Sequence, residues 1–311
     1  MIAKSWERRR EEDVPPFLAV GSVSAVRAVW DGPIVEIEDP HNAVAAFEDG
    51  LPILRVKSDT VVVPGTPDFE GARNSLDALE FAVGLTRSGA ASGLVTGPVS
   101  KAQLYSIGFV HPGQTEFVAE RCGVGTDLVA MMLAGPTLKV VPVTTHIPLR
   151  KVPDALSVER IVLKARVAIK GLQRQFGIEN PRLAVAGLNP HAGESGTLGR
   201  EEVEIILPAI ERLKEDGYEV SGPHPPDIMF HARRRRNYDA ALCMYHDQAL
   251  IPLKTLHFDE GINCTLGLPI VRSSPDHGTA FDIAGKNLAD PGAMITAIRT
   301  AGECALRLAQ A

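Results

Sequence analysis

The sequence has no apolar run of the length that a membrane span needs. It has no Cys-x-x-Cys pair: its four cysteines, Cys122, Cys243, Cys264 and Cys304, are scattered. Cys243 and Cys264 lie in apolar or strand-like stretches, so the cysteines read as buried free thiols of a reducing cytoplasm rather than a disulfide framework. Positive charge is not in excess. Lys and Arg number 32 against 38 Asp and Glu, a net charge of −6, which argues against a nucleic-acid partner. The single basic run, Arg233 to Arg236, reads as a solvated helix face or end. The opening Met1-Ile-Ala-Lys-Ser-Trp-Glu-Arg-Arg-Arg has no apolar stretch after its charges, which argues against a secretory signal. Repeats and low-complexity linkers are absent, so composition alone marks no domain boundary.

What is present is a chain of 311 residues, 45% apolar and 23% charged, enough for one large or two medium domains with a proper core. Short apolar runs alternate with longer helical ones. The runs Phe17-Leu-Ala-Val-Gly, Ile34-Val-Glu-Ile, Gly93-Leu-Val-Thr-Gly, Lys139-Val-Val-Pro-Val-Thr-Thr, Arg182-Leu-Ala-Val-Ala-Gly-Leu and Asp239-Ala-Ala-Leu-Cys-Met-Tyr predict strands. Brief, continuously apolar strands between helices suggest an α/β fold with a parallel or mixed sheet covered on both faces. Helices are predicted over 74–86, over 157–176 with Ser157 as N-cap, over 201–216 and from Asp290 to the C-terminus. The acid-rich start of 201–216 suits the positive end of a helix dipole.

Three of these strands run straight into a histidine: Val143-Thr-Thr-His146, Gly187-Leu-Asn-Pro-His191 and Cys243-Met-Tyr-His246. Ligands of open α/β sheets bind beyond the carboxyl ends of strands, and imidazole is a first-choice ligand for transition-row dications. A metal site and three satisfied polar residues both fit this placement, because no local signature such as H-E-x-x-H accompanies it. The Gly-containing loop Ser274-Pro-Asp-His277-Gly-Thr-Ala-Phe-Asp282 could set backbone N–H groups against a ligand, or be only a turn. Lys254 and Arg272 flank an apolar stretch; Arg272 suits a bidentate hold on phosphate or carboxylate, and two merely exposed cations fit equally.

Thr96-Gly-Pro-Val-Ser-Lys101, His111-Pro-Gly-Gln-Thr-Glu-Phe117, Thr145-His-Ile-Pro-Leu149, Asn189-Pro-His-Ala-Gly-Glu194, Tyr245-His-Asp-Gln248 and Asn263-Cys-Thr-Leu-Gly-Leu-Pro occur in one order along the chain. Together they resemble the 4-hydroxythreonine-4-phosphate dehydrogenase family of vitamin B6 biosynthesis, from about residue 17 to the C-terminus. The resemblance implies a two-domain α/β fold like that of the isocitrate and isopropylmalate dehydrogenases, with a cleft between the domains. The expected partition is 1–110 with 255–311, built from both chain ends, and 111–254, carrying the metal-binding histidines. It implies a homodimer whose metal site takes histidines from both subunits. His146, His191 and His246 stand at the family's ligand positions, and Gln114, Thr115, Lys254, Asn263 and Arg272 at its substrate positions. His277, Gly278, Thr279, Ala280 and Asp282 match an adenosine-binding loop, in which the place of Asp282 takes the ribose hydroxyls and favours NAD over NADP.

The implied reaction is NAD-dependent oxidation of 4-phosphooxy-L-threonine, a small phosphorylated hydroxy amino acid, followed by decarboxylation of the β-keto acid. Asp247 and Lys101 are the candidates for moving the hydroxyl proton. Imidazole ligands favour zinc or cobalt over magnesium. Two departures from the family stand out. Gln114 replaces the usual histidine and cannot carry its positive charge. The opening strand and Gly-rich loop have no counterpart, and Ile2-Ala-Lys-Ser-Trp-Glu-Arg-Arg reads as the middle of the following helix, an expected loss of about twenty residues. The rival readings are a dehydrogenase of a threonate or erythronate phosphate or of a cyclic cis-diol, and a non-catalytic homologue.

Overall fold

The computed structural model describes residues 1–57 and 61–310. Its strands are β1 Ala19–Gly21, β2 Ile34–Ile37, β3 Leu51–Arg55, β4 Leu94–Val95, β5 Ala130–Gly135, β6 Leu138–Pro142, β7 Leu183–Ala186, β8 Val220–His224, β9 Ala240–Cys243, β10 Ile262–Leu266 and β11 Arg272–Pro275. Helices separate most of them. The chain divides into two compact units: Met1–Gly123 with Pro269–Ala305, and Val124–Leu268 with the end of the last helix from Leu306.

In the first unit, β3 lies between β1 and β2 and is parallel to both, with Ala19 opposite Ile53 and Ile34 opposite Leu51. Leu51 and Ile53 are fully buried, and Pro52 and Leu54 on the other face are buried as well. Burial on both faces is the condition that makes a parallel strand continuously apolar. Trp6, on the helix Ile2–Glu7, packs beside Phe47, Leu51 and Ile53 and donates its indole N–H to the Phe47 carbonyl at 2.8 Å. A second parallel pair sets β11 against β4, with Arg272 opposite Leu94. The helix Phe69–Arg87 begins five residues before the predicted 74–86 because Asp68 caps it, accepting from the Gly71 N–H at 2.7 Å.

In the second unit the strands run in the order β10-β5-β6-β9-β7-β8. β10, β5 and β6 pair antiparallel, whereas β6, β9, β7 and β8 are parallel to one another. The predicted 157–176 helix is Val158–Phe176, with Ser157 accepting from the Arg160 N–H at 3.2 Å. Its buried face is Ile161, Val162, Ala165, Ala168, Ile169 and Leu172, the i, i+3/i+4 stripe of a helix laid on a sheet. The stretch 201–216 is a π turn, Glu202–Ile206, running into the helix Leu207–Glu215. Its Glu202 is not a solvated dipole partner, as the acid-rich start suggested, but is 1% exposed. Arg233, Arg234 and Arg236 are exposed around the short helix Ala232–Arg235, as a solvated helix end requires. Among the described residues, no helix is long and apolar enough to cross a membrane.

Candidate functional site

The parallel strands β6, β9 and β7 are neighbours, so their carboxyl ends share one edge of the sheet. Val143 and Thr144 carry β6 on to His146, Met244 and Tyr245 carry β9 to His246, and Gly187 to Pro190 carry β7 to His191. Two buried polar side chains bind these three extensions together. Thr144 donates its hydroxyl to the Met244 carbonyl at 2.8 Å. Gln248 accepts from the Met244 N–H at 2.6 Å and donates to the Gly187 carbonyl at 2.7 Å.

The rings of His146 and His246 lie 5.6 Å apart between centroids and at 44°. Both line a cavity of about 200 Å³ with Thr144, Leu149, Tyr245 and Asp247. His246 opens the helix His246–Leu256. Its Nδ1 is 2.8 Å from Asp247 Oδ1. A carboxylate can only accept, so in the neutral ring Nδ1 carries the proton and Nε2 keeps its lone pair. Asp247 thus orients the His246 ring and lines the same cavity. Burial, then Asp247 and Cys243, raise the pKa of the Tyr245 phenol in the same cavity. Among the described residues, no group of three or more His, Cys, Asp and Glu side chains is arranged to hold a metal. His191 reaches the same sheet edge but does not line that cavity.

His191 opens an unusual turn. Its φ is 53°, and Ala192, Gly193, Glu194 and Ser195 follow at 51°, 78°, 42° and 57°. Left-handed backbone costs roughly 1–2 kcal/mol for each non-glycine residue, so something must hold these four in place. Glu202 accepts from the Leu188 and Asn189 N–H groups, both at 2.7 Å, and from Asn189 Nδ2 at 3.0 Å. Neither Glu202 nor the strand-joining role of Gln248 was legible in the sequence. A helix-start glutamate looks the same whether it is solvated or buried.

In the first unit, Arg272 is 4% exposed. Its Nη2 donates to Thr96 Oγ1 at 2.8 Å and Gln114 Oε1 at 3.4 Å, and its Nη1 to Thr115 Oγ1 at 3.5 Å. Gln114 in turn donates to the Gly97 carbonyl at 3.0 Å. Gln114 and Thr115 are the first residues of the helix Gln114–Arg121, so its free N–H groups and the guanidinium make a setting for an anion. Thr96 belongs to this group and was not singled out from sequence. Lys101 opens the helix Lys101–Ser106 and is exposed. The loop His277–Asp282 is mostly exposed, with Ala280 at φ 45° and His277 Nδ1 2.9 Å from the Gly278 carbonyl. A side chain at Gly278 would meet nothing within 4 Å, which leaves the backbone there open to a flat ligand.

In the second unit, Lys254 stands seven residues after Asp247 and so shares its helix face. Its Nζ is 5.4 Å from the Phe258 ring centroid. Asn263 is on β10, with a buried Oδ1 that has no hydrogen-bond partner among the described residues. Such an atom costs about 1–3 kcal/mol while unmet, which suits a group that waits for a ligand.

Residues 15–301 match the family model described as pyridoxal phosphate biosynthetic protein PdxA. The chain belongs to the PdxA family. A PdxA-family member named 4-hydroxythreonine-4-phosphate dehydrogenase, from Zymomonas mobilis, is 52% identical over 98% of this chain and 91% of its own length. One of the same name from Erythrobacter litoralis is 52% identical over 100% and 94%. The crystal structure of the Klebsiella pneumoniae enzyme of that name is 37% identical over 93% of this chain and 90% of its own, with a TM-score of 0.83. The mixed α/β fold is therefore that of solved PdxA-family members, and the chain is an oxidoreductase of pyridoxal phosphate biosynthesis. A terephthalate 1,2-cis-dihydrodiol dehydrogenase from Burkholderia xenovorans is more distant, at 27% identity and a TM-score of 0.66.

Proposed function

We propose that this PdxA-family chain oxidises the C3 hydroxyl of 4-phosphooxy-L-threonine with NAD as hydride acceptor. The product, 2-amino-3-oxo-4-phosphooxybutanoate, is a β-keto acid and loses carbon dioxide to give 3-amino-2-oxopropyl phosphate. The observation that carries this reading is the delivery of His146 and His246 from adjacent parallel strands into one cavity, in a chain whose 52% identical relatives bear the corresponding name.

His146, His191 and His246 would hold a divalent metal, zinc or cobalt before magnesium by ligand preference. The donor set fits: His246 has its Nε2 turned free by Asp247, and His146 shares its cavity. The family resemblance draws the histidines from both subunits, and the working form proposed is a cytoplasmic homodimer. The free cysteines, three of the four buried, suit that compartment. A divalent cation supplies Lewis-acid stabilisation of negative charge on the reacting oxygen and on the decarboxylating product.

The chain's own residues do the rest. Arg272, with Thr115 and Gln114 at a helix N-terminus, binds an anionic end of the substrate. Lys254 and Asn263 take its other polar groups. Asp247 and Lys101 are the groups that move the hydroxyl proton. The loop His277–Asp282 takes the adenosine half of NAD, with Asp282 on the ribose. The test is NADH formation from 4-phosphooxy-L-threonine with zinc, run beside erythronate 4-phosphate and a cis-dihydrodiol dicarboxylate. Turnover of either rival in preference to 4-phosphooxy-L-threonine would overturn the substrate assignment, and turnover of none would favour a non-catalytic homologue.

A further inference from the structure

We propose that Glu202 is a positioning residue that holds the left-handed turn from which His191 projects. The inference rests on the reading of His191 as a metal ligand. Leu188 and Asn189, just before the turn, point their backbone N–H groups at one oxygen of Glu202, both at 2.7 Å. The other oxygen takes the Asn189 side-chain amide at 3.0 Å. The same amide nitrogen also donates to Glu201 Oε2 at 2.7 Å, so Asn189 is held between two carboxylates.

The backbone is wrapped tightly around this carboxylate. A Cβ at Gly187 would sit 2.9 Å from the Ala192 Cα and 3.2 Å from Glu202 Oε1. A Cβ at Gly193 would sit 2.5 Å from Glu202 Oε2. Buried at 1% exposure, Glu202 satisfies three part-buried donors. Backbone hydrogen bonds from Ala192 to Asn189, Thr197 to Glu194 and Leu198 to Gly193 also close the turn, but Glu202 fixes Leu188 and Asn189 at its entry. Without that anchor the strained φ of 42–78° can relax and swing His191 away. The side chain does not touch His191 itself; it acts through Leu188 and Asn189.

The test uses the full chain, metal-free and with zinc alone as probe. In Glu202→Ala, the Leu188 and Asn189 amides should lose exchange protection, and zinc affinity should fall about 10–100-fold, the range for residues that orient a ligand. Glu202→Gln keeps one oxygen for both backbone amides but sets an NH2 against Asn189. It should fold and show the same two changes at reduced size, which covers a Glu202→Ala protein that fails to fold. Unchanged exchange in both variants overturns the proposal, as does faster exchange with wild-type zinc affinity. His191→Ala separates the two levels. If it keeps wild-type zinc affinity, the reading of His191 as a ligand falls, and the exchange rates alone then support or overturn the clamp.

Discussion

Gln248 donates its side-chain amide to the carbonyl of Gly187 at 2.7 Å, joining the extension that leads to His191 to the helix that begins at His246. Its own carbonyl takes the Met244 N–H at 2.6 Å, so one buried amide serves two strand ends. Gln248→Ala strands both backbone groups. Each buried, unmet group costs about 1–3 kcal/mol, so thermal unfolding should register a loss of a few kcal/mol. Gln248→Glu keeps the acceptor but turns a carboxylate on the Gly187 carbonyl, and it should be at least as unstable as Gln248→Ala. A variant as stable as wild type would show that the strand ends are held by other means.

His246 is partly exposed, its side chain at 34%, so His246→Ala should change stability by about 0.5 kcal/mol or less. Its effect on bound zinc should be large: metal analysis after dialysis should find the site empty. NADH formation should fall about a thousandfold if the metal contributes several kcal/mol. Asp247→Asn leaves the ring in place but replaces the acceptor-only carboxylate with an amide whose NH2 can face Nδ1, so the tautomer is no longer fixed and zinc affinity should drop about 10–100-fold.

Gln114 touches Arg272 through its carbonyl oxygen and can neither compete for nor add to its charge. Gln114→Glu places a carboxylate there to pair with the guanidinium and repel an anionic substrate. KM for 4-phosphooxy-L-threonine should rise about tenfold or more, worth about 1.4 kcal/mol, with a smaller change in kcat. Gln114→His should instead lower KM below about pH 6.5, where imidazole becomes a cation. A KM indifferent to both changes would remove this helix end from the substrate site.

Asp239 accepts from the Arg182 backbone N–H at 2.8 Å and from its guanidinium at 3.1 and 2.9 Å. Burial pushes the Asp239 carboxyl up, but the hydrogen bonds and charge of Arg182 outweigh it and hold the pKa below its ordinary value. A depressed pKa in the folded state means that the unfolded chain binds the proton more readily. The pair's contribution is therefore complete above about pH 4, the unfolded value, and is lost as pH falls through the lower folded one. Asp239→Asn should lower stability at pH 7 by about 1–3 kcal/mol and flatten this part of the acid limb in thermal melts from pH 7 to pH 3.

The predicted strands at 139–145, 182–188 and 239–245 were legible because each holds a short apolar run, and burial on both faces of a sheet demands nothing else. The helix Val158–Phe176 was legible because Ser157 and the 3.6-residue period are local signals. β10 was not, since Asn263 and Thr265 interrupt its apolar run and pairing such as that with β5 makes it a strand. The ordered motifs carried the family, where spacing alone left the histidines undecided.

By itself, then, the sequence determined that His146, His191 and His246 each follow a strand and that an oxidoreductase of this family is encoded. Tertiary structure alone decided that β6, β9 and β7 are parallel neighbours, so that the three ends face one way. It also decided that Glu202 is buried against Leu188 and Asn189, and that Arg272 meets Gln114 and Thr96. The reason is physical. Periodicity and capping are set by neighbours along the chain, whereas strand order and the partner of a buried charge are set by contacts between residues far apart in it.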